Sequence, residues 1–141
     1  MDLVLRNGKL REKHGLWDIL ISNGVIKEIS ENINIGGAEE IDLKGKLVVP
    51  SFVEPHIHLD KVNIVDVVRP NKSGSLKEAI EIIWDKKAGY TNEDIVNRAS
   101  DIIERAISHG TTYMRTHVEV DTIGGLKPLE GVLKAKEKYA G

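Results

Sequence analysis

The chain has 141 residues, of which 40% are hydrophobic and 30% charged, and its formal net charge is -2. This composition is typical of a soluble, globular cytoplasmic protein, and it lacks the concentrated basic character of a nucleic-acid-binding surface. Cysteine is absent, which excludes disulfides and thiolate metal ligands, and no apolar run approaches the roughly 20 residues of a membrane span.

The first 47 residues predict a small, mostly antiparallel β-region. Asn7-Gly8 and Asn23-Gly24 are typical of two-residue hairpin turns, because type I′ turns need a positive φ at both central residues. Lys44-Gly45 is a further predicted turn between two short apolar runs. A sheet of this size is marginally stable by itself.

Beyond residue 47 the pattern changes to alternating strands and helices. Apolar and β-branched runs predict strands over 47–58 and 111–120. Ser75 and Thr91 are predicted N-caps of two amphipathic helices between them, and Pro128 suits the first turn of a last helix. This order is typical of a parallel α/β sheet, and two strands cannot make such a sheet with both faces covered.

His56 and His58 lie at the end of the first predicted strand and are candidate metal ligands. Side chains alternate faces along a strand, so residues two apart point the same way and two imidazoles can converge on one ion. The tripeptide alone is also compatible with a chance pair of histidines.

Arg115, His117 and Glu119 share one face of the second predicted strand. Two roles are open for His117: direct ligation of a metal, or a place in a buried hydrogen-bonded network that orients the ligands. The network is the interpretation that we favour.

Three segments carry a resemblance to a known family: 49–60 (VPSFVEPHIHLD), 71–76 (NKSGSL) and 115–120 (RTHVEV). In this order they resemble the amidohydrolase superfamily and, within it, the cytosine deaminase group with the related N-isopropylammelide amidohydrolases. The resemblance implies an N-terminal fragment of a (β/α)₈-barrel enzyme. Residues 1–47 would be part of a β-sandwich, and residues 48–141 the first two barrel strands with their helices, leaving the barrel incomplete.

The resemblance also implies roles for particular residues. His56 and His58 match the first two metal ligands of the family, and Leu76 matches a position that packs over the bound ring. Core filling is an equally open role for Leu76, which is predicted to lie on the first turn of an amphipathic helix. Asp60, Arg115 and His117 are possible supports for the ligands. For Asp60, however, we favour an exposed ion pair with its neighbour Lys61.

The implied reaction is hydrolysis of a carbon–nitrogen bond other than a peptide bond, most simply deamination of cytosine or a related small-molecule ring by water activated on iron or zinc. A triazine or another cyclic amide is the alternative substrate. The remaining ligands and the catalytic Glu of the family match no part of this sequence, so we expect an inactive fragment with little or no bound metal. A non-catalytic half-barrel is the other alternative, and its open strand edges predict a homo-oligomer or strand exchange.

Overall fold

The computed structural model describes residues 2–140, and the chain divides into two compact units, residues 1–50 and 51–141. The sequence places this boundary at residue 47, but Leu47–Val48 pair with the first strand of the chain. Among residues 2–140, no helix combines the length and the apolar character that crossing a bilayer requires.

Residues 2–50 form one mixed sheet. Its strands are β1 (Asp2–Leu10), β2 (Trp17–Ser22), β3 (Val25–Ser30), β4 (Glu39–Asp42) and β5 (Leu47–Val48). The order is β3-β2-β1-β4, and β5 also pairs with β1. The first three strands are antiparallel neighbours, but β4 and β5 both run parallel to β1. The prediction of a mostly antiparallel region is therefore wrong for β4 and β5. The predicted turn at Lys44-Gly45 lies between these two strands and does not reverse the chain, because both run parallel to β1.

Asn7-Gly8 forms a bulge inside β1, so the predicted hairpin turn at this pair is wrong. Asn7 has a φ of 57°, and the register of β1 against β2 shifts between Leu5 and Gly8. A positive φ serves a bulge as well as a turn, so the dipeptide does not distinguish them. Asn23-Gly24 does form the predicted turn between β2 and β3, with φ values of 51° and 73°.

Asp18 is the buried polar centre of the first unit. Its carboxylate accepts the N–H of Asn7 at 3.1 Å and the N–H of Ile33 at 3.2 Å, and it pairs with the guanidinium of Arg6. Burial by itself raises the pKa of Asp18, but the hydrogen bonds from Arg6, Asn7 and Ile33 outweigh it and hold the pKa below its usual value.

Asp18→Ala is expected to lower the free energy of unfolding by about 3 kcal/mol, because it leaves buried donors without their acceptor. The stabilisation by Asp18 is complete above about pH 5, where the carboxylate is ionised in the unfolded chain too. It is lost progressively as the pH falls through the lower folded pKa. Urea unfolding at pH 7 and in acid measures both effects. Glu28→Ala, on exposed β3, is the control and should change stability by less than about 0.5 kcal/mol; equal losses in the two variants would contradict the prediction.

Residues 51–140 form two parallel strands and three α-helices. They are β6 (Phe52–Ile57), α1 (Leu76–Ala88), α2 (Asn92–Ser108), β7 (Thr111–Thr116) and α3 (Lys127–Lys138), with a 3-10 turn at Val65–Val67. The predicted helix starts are confirmed, since Ser75 and Thr91 accept the N–H groups of Glu78 and Asp94 and Pro128 lies in the first turn of α3.

Both predicted strands are shorter than the sequence suggests. The segment 47–58 divides into β5 and β6, which belong to different sheets; Pro50 lies between them and has no N–H to give to a ladder. β7 ends at Thr116 because its partner β6 ends at Ile57. The last backbone–backbone hydrogen bond between them runs from the N–H of His117 to the Ile57 carbonyl, at 2.7 Å.

α2 supplies much of the core of the second unit and contacts both α3 and β7. The buried cluster consists of Leu59, Tyr90, Ile95, Ala99, Ile103, Val132 and Ala135. Ile57 and Met114, from the two strands, pack against it. The core thereby fixes the chain where β6 ends, immediately before and after His58.

Candidate metal centre

The rings of His56, His58 and His117 meet where β6 and β7 end. Ring centroids lie 5.6 Å apart for His56 and His58, 4.2 Å for His56 and His117, and 5.5 Å for His58 and His117. Parallel pairing of the strands produces this meeting, because Ile57 and Thr116 are register partners. The carboxyl ends of parallel strands are also where α/β proteins usually bind their ligands.

Asp60 lies directly behind His58. It is 0% exposed, and its Oδ1 is 3.6 Å from Nδ1 of His58. Both of these buried atoms lack a hydrogen-bond partner among residues 2–140. A carboxylate on the Nδ1 side of an imidazole leaves Nε2 to face an ion, which is the usual arrangement behind a metal-ligating histidine.

Asp60 and Lys61 do not form the exposed ion pair that the sequence favours. The Asp60 side chain is buried and its Oδ2 accepts the N–H of Glu119 at 3.1 Å, whereas Lys61 pairs with the Glu119 carboxylate. Arg98 makes the burial possible, because it donates to the carbonyls of Asp60 at 3.1 Å and Val62 at 2.8 Å and so fixes the loop. These contacts join residues distant in sequence, so the local pattern does not reveal them.

Burial lowers the pKa of His58 below its ordinary value, and the nearby charge of Lys61 acts in the same direction. A neutral imidazole keeps a nitrogen lone pair free for a metal ion. The chemistry of His58 therefore agrees with a ligand role.

The histidine cluster supplies only part of a coordination shell. Among residues 2–140, no group of at least three His, Asp or Glu side chains has the arrangement that would hold a metal ion. His56 and His58 would contribute two nitrogens, and a tetrahedral ion needs further ligands. Nitrogen donors without cysteine suit iron or zinc equally well.

The other predicted site residues lie on open surfaces. Leu76 is 77% exposed, so it does not fill the core. It borders a groove of about 430 Å³, whose other lining residues are Lys61, Ala79, Ile80, Ile83, Trp84 and Glu119. Arg115 and His117 are exposed, whereas Asp60 and Glu119 carry the hydrogen bonds behind the cluster.

Two cations that support this region, Lys87 and Arg98, were not predicted from the sequence. Lys87 is 0% exposed and lies 2.7 Å from both Glu119 and Asp121. Arg98 holds the loop after His58, as described above. Both lie on helices, where Lys and Arg normally extend into water, and no spacing in the sequence marks Lys87 as buried or Arg98 as partly buried.

The parallel strands, with histidines where they end, agree with the family resemblance of the three sequence segments. The Amidohydrolase family model matches residues 39–140, and the chain belongs to this family. The resemblance inferred from the three sequence segments is confirmed.

The relatives and solved structures are considerably longer than this chain. This chain is 36% identical over 141 residues to the N-isopropylammelide isopropyl amidohydrolase of Pseudomonas sp. (strain ADP). The match covers 97% of this chain and 35% of that protein. The 5-methylcytosine deaminase of Klebsiella pneumoniae, solved with 5-fluorocytosine, superposes with a TM-score of 0.84 at 34% identity, covering 97% of this chain and 33% of that one. The N-isopropylammelide isopropylaminohydrolase of Burkholderia multivorans ATCC 17616 superposes with a TM-score of 0.83 at 28% identity, covering 99% and 35%. The chain therefore spans about a third of the length of these proteins.

Proposed function

We propose that this chain is the N-terminal part of a metal-dependent hydrolase that acts on carbon–nitrogen bonds other than peptide bonds, most simply by deaminating cytosine or a related ring. The observation that carries the proposal is the cluster of His56, His58 and His117, with buried Asp60 behind His58. Membership of the amidohydrolase family supports the reaction class, and the 5-methylcytosine deaminase supports the choice of ring.

In this proposal the first unit belongs to a β-sandwich, while β6 and β7 with their helices begin a (β/α)₈ barrel. The exposure of apolar side chains on the two strands supports it: Phe52 is 59% exposed, Val53 61% and Tyr113 69%. Parallel sheets are normally covered on both faces, so further barrel elements would cover these residues.

His56 and His58 would hold iron or zinc, and Asp60 would keep His58 in the orientation that presents Nε2. The metal, when bound, makes hydroxide available near neutral pH. Burial lowers the pKa of His58, which favours the neutral, ligating form. Leu76 with its groove would contact the face of the ring. The proposed ion site is incomplete in this chain, so we expect it to hold metal weakly without the rest of the barrel.

A triazine or another cyclic amide is the alternative substrate, and the two N-isopropylammelide relatives support it.

The second candidate function is non-catalytic self-association through the open strand edges and exposed apolar side chains of β6 and β7, as a homo-oligomer or by strand exchange. Phe52, Val53 and Tyr113 favour it. A compact monomer in sedimentation at high concentration would contradict self-association.

The test of the enzymatic proposal is release of ammonia or alkylamine by the full-length protein loaded with iron or zinc. Cytosine, 5-methylcytosine and N-isopropylammelide are the substrates to compare. Turnover of at least one ring is expected, abolished by a chelator and restored by metal. A metal-loaded, folded protein that turns over none of these rings would contradict the proposal.

A further inference from the structure

Lys87 is a completely buried cation near the end of α1 that the proposed reaction does not use. Its Nζ donates to Glu119 Oε2 and to Asp121 Oδ2, both at 2.7 Å. Burial by itself lowers the pKa of Lys87, but the two carboxylates outweigh it and raise the pKa above its usual value. A buried ammonium held by two carboxylates is costly to form and strongly destabilising to break.

The loop after β7 is shaped around the Lys87 side chain. A Cβ on Gly124 would lie 2.8 Å from Cδ of Lys87 and 3.0 Å from its Cγ, so only glycine leaves room for the lysine stem. Asp121 holds this loop in place, because its Oδ1 accepts the N–H groups of Ile123 at 3.0 Å and Gly124 at 2.8 Å. The loop therefore packs closely around the Lys87 side chain, and glycine at 124 is required for this packing.

A short series of contacts connects Lys87 with the histidine cluster. Lys87 holds the side chain of Glu119, and the N–H of Glu119 donates to Asp60 Oδ2 at 3.1 Å. The other oxygen of Asp60 lies 3.6 Å from His58 Nδ1. Displacement of the segment around Glu119 would therefore release Asp60, the group that faces His58.

We propose that Lys87 is a positioning residue for His58. By anchoring Glu119 and Asp121 it keeps the Glu119 N–H on Asp60, and Asp60 in turn keeps the His58 ring turned toward the ion site. The inference rests on the proposed function, because its effect appears at the metal. Supporting groups behind a metal ligand typically change metal affinity by about 10- to 100-fold when they are lost.

The experiment compares Lys87→Met with Lys87→Arg in the full-length protein. Zinc affinity is measured by competition with a chelator, and the absorption spectrum of the cobalt-substituted protein reports ligand geometry. Lys87→Met keeps the apolar stem but removes the charge, and it is expected to weaken zinc binding about 10- to 100-fold and to alter the cobalt spectrum. Lys87→Arg is expected to recover much of the affinity.

Lys138→Met is the matched control, because Lys138 also pairs with a carboxylate, that of Glu104, and bonds Ser100 at 3.2 Å. It is expected to leave zinc affinity unchanged. A folded Lys87→Met protein with wild-type affinity and spectrum would overturn the inference, as would an equal loss in Lys138→Met.

If Lys87→Met does not fold, Asp121→Asn weakens one of the two anchors of Lys87 and should reduce zinc affinity by a smaller factor. Unchanged affinity in that variant would likewise overturn the inference. Absence of both zinc and iron binding in the wild-type protein would overturn the proposed function together with this inference, whereas normal binding in every variant overturns the role of Lys87 alone.

Discussion

His58→Ala is expected to reduce turnover by the full-length protein at least about 10³-fold and to remove its stoichiometric metal. The lowered pKa of His58 favours its neutral, ligating form, and the buried Asp60 carboxylate lies behind its ring. Alanine at this position removes the nitrogen donor altogether. The remaining partial shell is too small for tight binding. Metal content and initial rates on cytosine measure the effect.

His14→Ala is the matched control for this prediction. His14 is exposed in the first unit, and the hydrogen bond from the indole of Trp17 reaches its backbone carbonyl, which the substitution keeps. Metal content and rate should therefore match those of the wild type. An active, metal-loaded His58→Ala protein would contradict the assignment of His58 to the metal site.

Asp60→Asn is expected to reduce metal affinity less than His58→Ala does in the same assay. It keeps the size of the side chain but removes the charge that faces Nδ1 of His58, so metal affinity should fall by about 10- to 100-fold without being abolished. This order, with His58→Ala worse than Asp60→Asn, is expected because only the histidine would touch the ion.

Gly131→Leu is expected to destabilise the second unit by 3 kcal/mol or more, on the order of the cost of severe overpacking. A Cβ at Gly131 would already lie 2.7 Å from Cβ and Cγ2 of Ile95, and Ile95 is completely buried. A leucine side chain therefore forces α3 away from α2. Chemical unfolding of the variants measures the loss.

Gly131→Ala tests the same close contact between α3 and α2 with the smallest possible side chain. Alanine is the better helix former by about 1 kcal/mol, so a stabilised variant would show that α3 does not approach α2 this closely. Close packing instead predicts a net loss of about 1–2 kcal/mol. Gly36→Ala is the control, because a Cβ there meets no atom within 4 Å, and its effect should be within about 0.5 kcal/mol.

The features that were predictable from the sequence are set by local signals. Ser75 and Thr91 cap their helices through hydrogen bonds that span three residues, so the capping pattern is sufficient to locate both helix starts. His56 and His58 share a strand end, and the meeting of their rings follows from the spacing. The family resemblance likewise depends on short segments that the sequence displays directly.

The features that were not predictable depend on contacts between distant residues. The direction of β4 relative to β1 is decided by pairing across 36 residues, from Leu3 to Glu39, and no turn motif encodes it. Asp60 is buried because Arg98 and Glu119 bind it from other elements. Lys87 is buried for the same kind of reason, so a lysine at the end of an amphipathic helix gives no sign of its position.

The metal site is tested most directly by a crystal structure of the full-length protein with anomalous diffraction collected at the iron and zinc absorption edges. We expect one metal peak bonded to nitrogens of both His56 and His58 at roughly 2.0–2.1 Å, with Asp60 on the far side of the His58 ring. A metal peak elsewhere, or a metal-saturated protein in which neither histidine contacts the ion, would contradict it.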